Sequence, residues 1–463
     1  MPAKGQAAFQ LSLAFEGLPQ ELAEFLSRDT YSLLIKGDSG TGKTILALTI
    51  LKALRPIENL LYISTRTSPL QLLENYPWIE ETFGAPGAPQ GSGGKETEGY
   101  ETLVDARLDE PNTVFERITN VLMDKQAPTV VIDTWESLSD TLGSEALRTN
   151  IRVLQTWRER AGARFVFVGE NPGNTTIDFM VEGVVVLKDR ASEARRLREI
   201  VISKLHGVQI PRPSHFFTLE GGTFRSFPNY LPRDYAFRKP LPVKFDKPFP
   251  RVSGHFPTGY APLDALLDGG YPAKSVAVVE VDRKVDPRVV MIFLSRMFED
   301  WVAAGDSVLL YNPPDLDRQF ISQYLKSFAG GGRKGQIIVS EAASPTETKL
   351  RSLDKGFVEL QDSSRKGRSR RLAILWRGPR GSDSWDASQA DLKALKQKTD
   401  LAMIIGKSGS LGFSDAEQAG TYLKLVEIEG TLFVQSDAPW SPLYAVVPAR
   451  TGGNPTMKLE PVV

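Results

Sequence analysis

At 463 residues, with 41% hydrophobic and 24% charged residues, the chain has an ordinary globular composition and is long enough for two to three domains with filled cores. Lys plus Arg and Asp plus Glu balance at 56 each, so no global field favours nucleic acid, an anionic membrane or an acidic partner, and any such binding has to be local. There is no cysteine, which excludes disulfides, thiolate catalysis and zinc–thiolate sites. No stretch approaches the ~18 to 20 uninterrupted apolar residues of a membrane span, so a cytoplasmic protein without membrane insertion is expected.

In chain order, residues 31–36 read as a short buried strand and the run from Ile45 to Leu51 as the start of an apolar helix. Between them, Gly37-Asp38-Ser39-Gly40-Thr41-Gly42-Lys43-Thr44 fills every fixed position of a phosphate-binding P-loop. Its glycines let successive N–H groups point into one concavity, and the following helix adds its free N–H groups and the positive end of its dipole. In that motif Lys43 reaches the β and γ phosphates of ATP and the Thr44 hydroxyl is a ligand of Mg²⁺.

A strand at 59–64, a helix at 69–75, a strand at 101–104 and a helix at 113–125 follow. The strand Thr129-Val130-Val131-Ile132-Asp133 then ends in a carboxylate. At the carboxyl end of a parallel strand, Asp133 is the candidate for the Mg²⁺ side of the site, the other reading being a cap on the next helix. A helix at 144–160 and a strand at 164–169 complete an alternating pattern that predicts a mainly parallel α/β sheet with flanking helices. Beyond Gly183, strand pairs at 184–188 with 196–204 and at 215–219 with 224–227 predict an antiparallel extension. The Gly- and Pro-rich stretch 84–99 reads as a surface loop, and the proline-rich segment 230–251 as a linker. The expected domains are therefore 1–229 and 252–463.

After the linker, Thr258-Gly259, Leu263-Asp264, Leu266-Leu267 and Gly269-Gly270 lead into an apolar strand at 275–280. This lead-in resembles that of the KaiC and RadA branch of RecA-like ATPases, where a P-loop comes next. Here the next residues are Val281-Asp282-Arg283-Lys284-Val285-Asp286-Pro287-Arg288, without glycine and with two acids that would repel phosphate. Two RecA-like P-loop NTPase domains are expected, the second degenerate and without nucleotide; its further strands are placed at 307–311, 372–376, 401–405, 422–428 and 431–435. The first domain resembles the same branch at residues 60–64, 68–73, 180–187 and 203–207. The run from Ile63 to Pro69 and the two-domain layout are similar to the archaeal gas-vesicle regulatory GvpD type.

The resemblance also has consequences for chemistry. KaiC-like ATPases carry adjacent glutamates as the general base where this chain has Arg66 and Thr67. Slow hydrolysis is therefore expected, with Glu136 and Glu170 as substitutes by proximity or as ordinary capping carboxylates, and with Arg66 placed to contact the γ phosphate. In the family's Lys-x-Arg-Gly segment the two cations reach a neighbouring subunit's nucleotide. Lys204 is retained, while His206 stands at the Arg position, so a homo-oligomer completed in trans is allowed but weakened. The implied function is a Mg-ATP-dependent switch acting on a protein partner. The alternatives are a RadA-type DNA-dependent ATPase using the basic run from Arg365 to Arg380, and a KaiC-like autokinase; nucleic acid is the less favoured partner.

Overall fold

The computed structural model describes residues 15–54, 59–80, 103–235, 248–311, 318–328, 336–340, 370–377, 389–409, 419–451 and 453–463. The expected loop at 84–99, the 236–247 part of the expected linker, and 365–369 and 378–380 of the basic run lie outside the described residues. The chain divides into two compact units after Phe227, with Val462 and Val463 grouped with the first.

The first unit runs α1 (Gln20–Leu26), β1 (Tyr31–Gly37), α2 (Lys43–Ala53), β2 (Leu60–Ser64), α3 (Pro69–Asn75), β3 (Leu103–Asp105), α4 (Pro111–Asp124) and β4 (Thr129–Asp133). It continues with α5 (Glu136–Ser139), α6 (Ser144–Ala161), β5 (Arg164–Gly169), α7 (Thr176–Met180), β6 (Gly183–Ser192), β7 (Arg195–Leu205), β8 (Ser214–Thr218) and β9 (Arg225–Ser226). The strand order is β3-β2-β4-β5-β1-β6-β7-β8-β9. Strands β3 to β6 in that order are parallel to their neighbours, and β7, β8 and β9 extend the sheet antiparallel. Every residue of β1 is buried, as a central strand covered on both faces requires. Strand alternation divides the core: Val131 packs with α1 and α2, whereas Val130 and Ile132 pack with α4 and α6.

The second unit begins with the hairpin β10 (His255–Phe256) and β11 (Tyr271–Pro272) around α8 (Ala261–Leu266). Next come β12 (Ser275–Val281), α9 (Pro287–Ala303), β13 (Ser307–Tyr311), α10 (Arg318–Phe328), β14 (Gln336–Ser340), β15 (Arg371–Arg377), α11 (Gln389–Lys398) and β16 (Leu401–Lys407). Four antiparallel strands finish it: β17 (Thr421–Ile428), β18 (Thr431–Ala438), β19 (Tyr444–Thr451) and β20 (Asn454–Pro461). Its order, β14-β13-β15-β16-β12-β17-β18-β19-β20, repeats that of the first sheet strand for strand, with β12 in the place of β1. Both units therefore have a mainly parallel α/β sheet with helices on both faces and an antiparallel extension, consistent with two RecA-like domains.

The segment read as the start of a linker is packed in the second unit. Tyr235 is 1% exposed within its core, and the Tyr230 N–H donates to Gly430 O at 2.7 Å. Two aromatic residues in a proline-rich stretch supply the apolar area that orders it. Strands β14, β19 and β20 were not expected from the sequence; prolines interrupt β19 and β20, and β14 has only three apolar residues. Among the described residues no helix is long and apolar enough to cross a membrane.

Candidate nucleotide site

The carboxyl ends of β1, β2, β4 and β5 converge, and each delivers residues singled out from the sequence. β1 feeds directly into the loop 37–44, and α2 starts at Lys43 with Gly42 as a left-handed N-cap at φ 99°. Leu219 packs so closely on Gly42 that an added Cβ would lie 2.6 Å from its Cδ1. The loop folds on itself through Thr41, whose N–H and hydroxyl both donate to Asp38 O, and Lys43 Nζ donates to the same carbonyl at 2.8 Å. Gly40 has φ 80° and open space where a Cβ would stand, so its backbone can approach a ligand closely. Ser39 lies exposed at the tip of the same loop.

Thr44 donates its hydroxyl hydrogen to Asp133 Oδ2 at 2.8 Å. Tyr62 of β2 donates to the same oxygen at 2.7 Å. Burial raises the Asp133 carboxyl above its ordinary range, against the pull of these two donors and of Lys43. Burial likewise lowers the Lys43 ammonium, while Asp133, Glu136 and Asp38 draw it back up. The ends of β2 and β4 are latched as well: Thr65 N–H donates to Asp133 O at 2.7 Å and Thr134 N–H to Thr65 Oγ1 at 2.7 Å. This fixes the height of Asp133 relative to the P-loop.

The further candidates come from different elements: Glu136 opens α5 after β4, Glu170 directly follows β5, and Lys204 lies in β7. Glu136 Oε1 accepts the backbone N–H groups of Glu170 at 2.8 Å and Asn171 at 3.1 Å. Its other oxygen, Oε2, is buried without a hydrogen-bond partner. Burial pushes this carboxyl up, opposed by the backbone donors. Glu170 is held differently, in an ion pair with Arg66, whose side chain is 55% exposed. Lys204 donates to Asp178 O at 2.8 Å within the same chain, and His206 is exposed.

The sequence reading missed three contributors. Lys36, buried in β1 just before the P-loop, pairs with Asp178 and donates to Gly173 O at 2.9 Å. Arg198 of β7 donates to the P-loop carbonyl Gly40 O at 3.2 Å and pairs with Asp189 at 3.1 Å. Tyr62 is the third, and its position in an otherwise apolar strand next to a polar terminus was the available signal.

These residues suit Mg-ATP. A glycine-rich nest at a helix N-terminus takes polyphosphate, and Lys43 and Arg66 offer cations around it. The Thr44 hydroxyl and the Asp133 carboxylate are hard oxygen donors. Among the described residues there is no cluster of three or more His, Asp or Glu that could hold a metal alone. Mg²⁺ matches that donor set, because it keeps several waters and relies on one or two protein oxygens plus substrate phosphates.

The second unit's loop has the same length but the reverse lining. Asp286 caps α9 with its own carboxylate, accepting Arg288 N–H at 2.8 Å, where the first unit has Gly42. Lys407, at the end of β16, donates to Val285 O at 2.6 Å. The position aligned with Asp133, at the end of β15, carries no carboxylate.

Comparison with known proteins agrees with this geometry. Residues 24–227 match the family model described as "ATPase: KaiC". Among curated proteins, the chain is 26% identical over 265 residues to Protein GvpD2 of Halobacterium salinarum, covering 55% of this chain and 52% of the relative. It is 26% identical over 286 residues to Protein GvpD1 of the same organism, covering 57% and 50%. The chain thus spans about half the length of the curated relatives it matches.

Proposed function

We propose that this chain, whose first unit is a KaiC-like ATPase domain with GvpD relatives, is a cytoplasmic Mg-ATP-binding regulator. It hydrolyses ATP slowly and switches a protein partner. The observation that carries the reading is the Thr44–Asp133 hydrogen bond, which joins the P-loop to the end of β4 beside the Lys43 ammonium. Thr44 and Asp133 would hold Mg²⁺, which when bound would neutralise the charge of the ATP phosphates. Glu136 orients the attacking water: one oxygen is anchored by two backbone N–H groups, and the other is buried and unsatisfied. Arg66 senses the γ phosphate, and because it must leave Glu170 to do so, nucleotide state is transmitted to the loop after β5.

Slow turnover follows from Arg66 and Thr67 standing where KaiC-like ATPases carry their adjacent glutamates, which leaves the water to Glu136. The second unit binds no nucleotide and offers the regulatory surface. Phosphate release from ATP, measured beside a Lys43→Ala variant and with Glu136→Gln as a third sample, tests this. Binding and turnover lost in Lys43→Ala, and turnover alone lost in Glu136→Gln, are expected. ATP affinity unchanged by Lys43→Ala overturns the reading.

A further inference from the structure

Tyr62 is fully buried in β2, yet its hydroxyl ends 2.7 Å from Asp133 Oδ2. Strand register explains the reach. β2 and β4 pair Ser64 with Asp133 and Tyr62 with Val131, so Tyr62 lies two residues behind the carboxylate on the neighbouring strand, on the same face. A phenol is long enough to span that step. A phenylalanine would fill the same core space, so core packing alone does not account for the hydroxyl. With Thr44 donating at 2.8 Å, two hydroxyl donors converge on Oδ2. A carboxylate offers about four lone-pair sites on two oxygens, and two donors on one oxygen leave the other, Oδ1, to face a cation and its waters.

We propose that Tyr62 is a positioning residue for the magnesium side of the nucleotide site: by holding Asp133 Oδ2 from within the core, it sets the plane of the carboxylate and presents Oδ1 to the metal's coordination shell. The inference rests on the Mg-ATP reading above. Tyr62 touches neither metal nor nucleotide and acts only through Asp133. Its removal therefore changes how strongly Mg²⁺ tightens ATP binding, and leaves metal-free ATP binding through the P-loop N–H groups and Lys43 as it was.

The test is calorimetry of ATP binding to the full chain, with excess Mg²⁺ and with EDTA, for wild type, Tyr62→Phe, Asp133→Asn, the double variant and Lys43→Ala. Phenylalanine keeps the ring in place, so the fold is retained. Tyr62→Phe is expected to bind ATP in EDTA as wild type does and to lose about tenfold of the gain from Mg²⁺, the scale of a hydrogen bond to a charged acceptor. In the Asp133→Asn background the same substitution is expected to change nothing further, whereas a merely structural role would give additive losses. A wild-type Mg²⁺ gain in Tyr62→Phe, or a further loss in the double variant, overturns the positioning role while the nucleotide reading stands, provided Lys43→Ala has lost binding. Unchanged binding in Lys43→Ala removes both.

Discussion

Gly37 ends β1 under the carbonyl of Leu187, and a Cβ there would lie 2.2 Å from that oxygen. The obstacle is backbone in a paired strand, so neither partner can move aside cheaply. Gly37→Ala is expected to destabilise the first unit by about 3 kcal/mol, as overpacking does, measured as a lowered urea midpoint with an unchanged slope. Gly40→Ala meets nothing within 4 Å and carries only the left-handed backbone cost of about 1–2 kcal/mol. The two substitutions separate what the motif needs for folding from what it needs for ligand approach. At this scale Lys43, Thr44 and Asp133 were named from spacing, and the geometry bonds Thr44 to Asp133 and Lys43 to the P-loop carbonyl of Asp38. The partners were not legible. Arg66 pairs with Glu170 across 104 positions, and Glu136 is anchored by backbone N–H groups of a different strand's loop. Such pairings depend on which strands neighbour each other, and one-dimensional spacing does not carry that information.

At the scale of elements, α7 is the short piece that ties the P-loop strand to the rest of the unit. Thr175 and Asp178 form a capping box at its start, and Asp178 also takes the buried Lys36 ammonium. Burial works against the Asp178 charge, but Lys36 and Thr175 hold its carboxyl below the ordinary value of 3.8. A carboxyl with a depressed pKa in the folded state contributes stability that is complete above its unfolded value and lost as pH falls through the folded one. Acid unfolding of the wild-type chain should therefore steepen below about pH 4, and Asp178→Asn should flatten that limb while lowering stability at pH 7. Lys36→Met leaves the half-buried Asp178 carboxylate without its cation and is expected to cost about 3 kcal/mol, read from chemical denaturation at pH 7. Equal stability of Lys36→Met and wild type would mean that the pair is not formed in solution. The elements themselves were largely visible in the sequence. Strands at 129–133 and 164–169 and the helix at 69–75 coincide with β4, β5 and α3, because runs of β-branched and aromatic residues and a Ser-Pro start are strong local signals. β19 and β20 escaped because their stability comes from pairing with each other across eight positions, despite Pro448, Pro455 and Pro461.

Across the whole molecule, one topology is used twice with opposite electrostatics. In the first unit the loop after the central strand ends in glycine and lysine, and the neighbouring strand β5 is followed by Glu170. In the second the loop ends in Asp286 and Pro287, and β16 ends in Lys407. The helix N-terminus that would receive phosphate receives the chain's own carboxylate, and the loop carbonyls receive its own ammonium. An anion arriving there would have to displace Asp286 from its bond to the Arg288 N–H and from the Arg288 guanidinium, without glycines to let the backbone close around it. A stoichiometry of one ATP per chain follows. Titration of the purified full chain with Mg-ATP should reach saturation at one equivalent, and Lys43→Ala should abolish the whole signal, leaving no second, weaker phase. Two equivalents, or a residual phase in Lys43→Ala, would mean that Asp286 and Lys407 yield to a nucleotide and that the repeat is a second site with its own rules. One equivalent would make the second unit a duplicated scaffold relieved of ligand binding, free to specialise as the surface on which the state of the first is read.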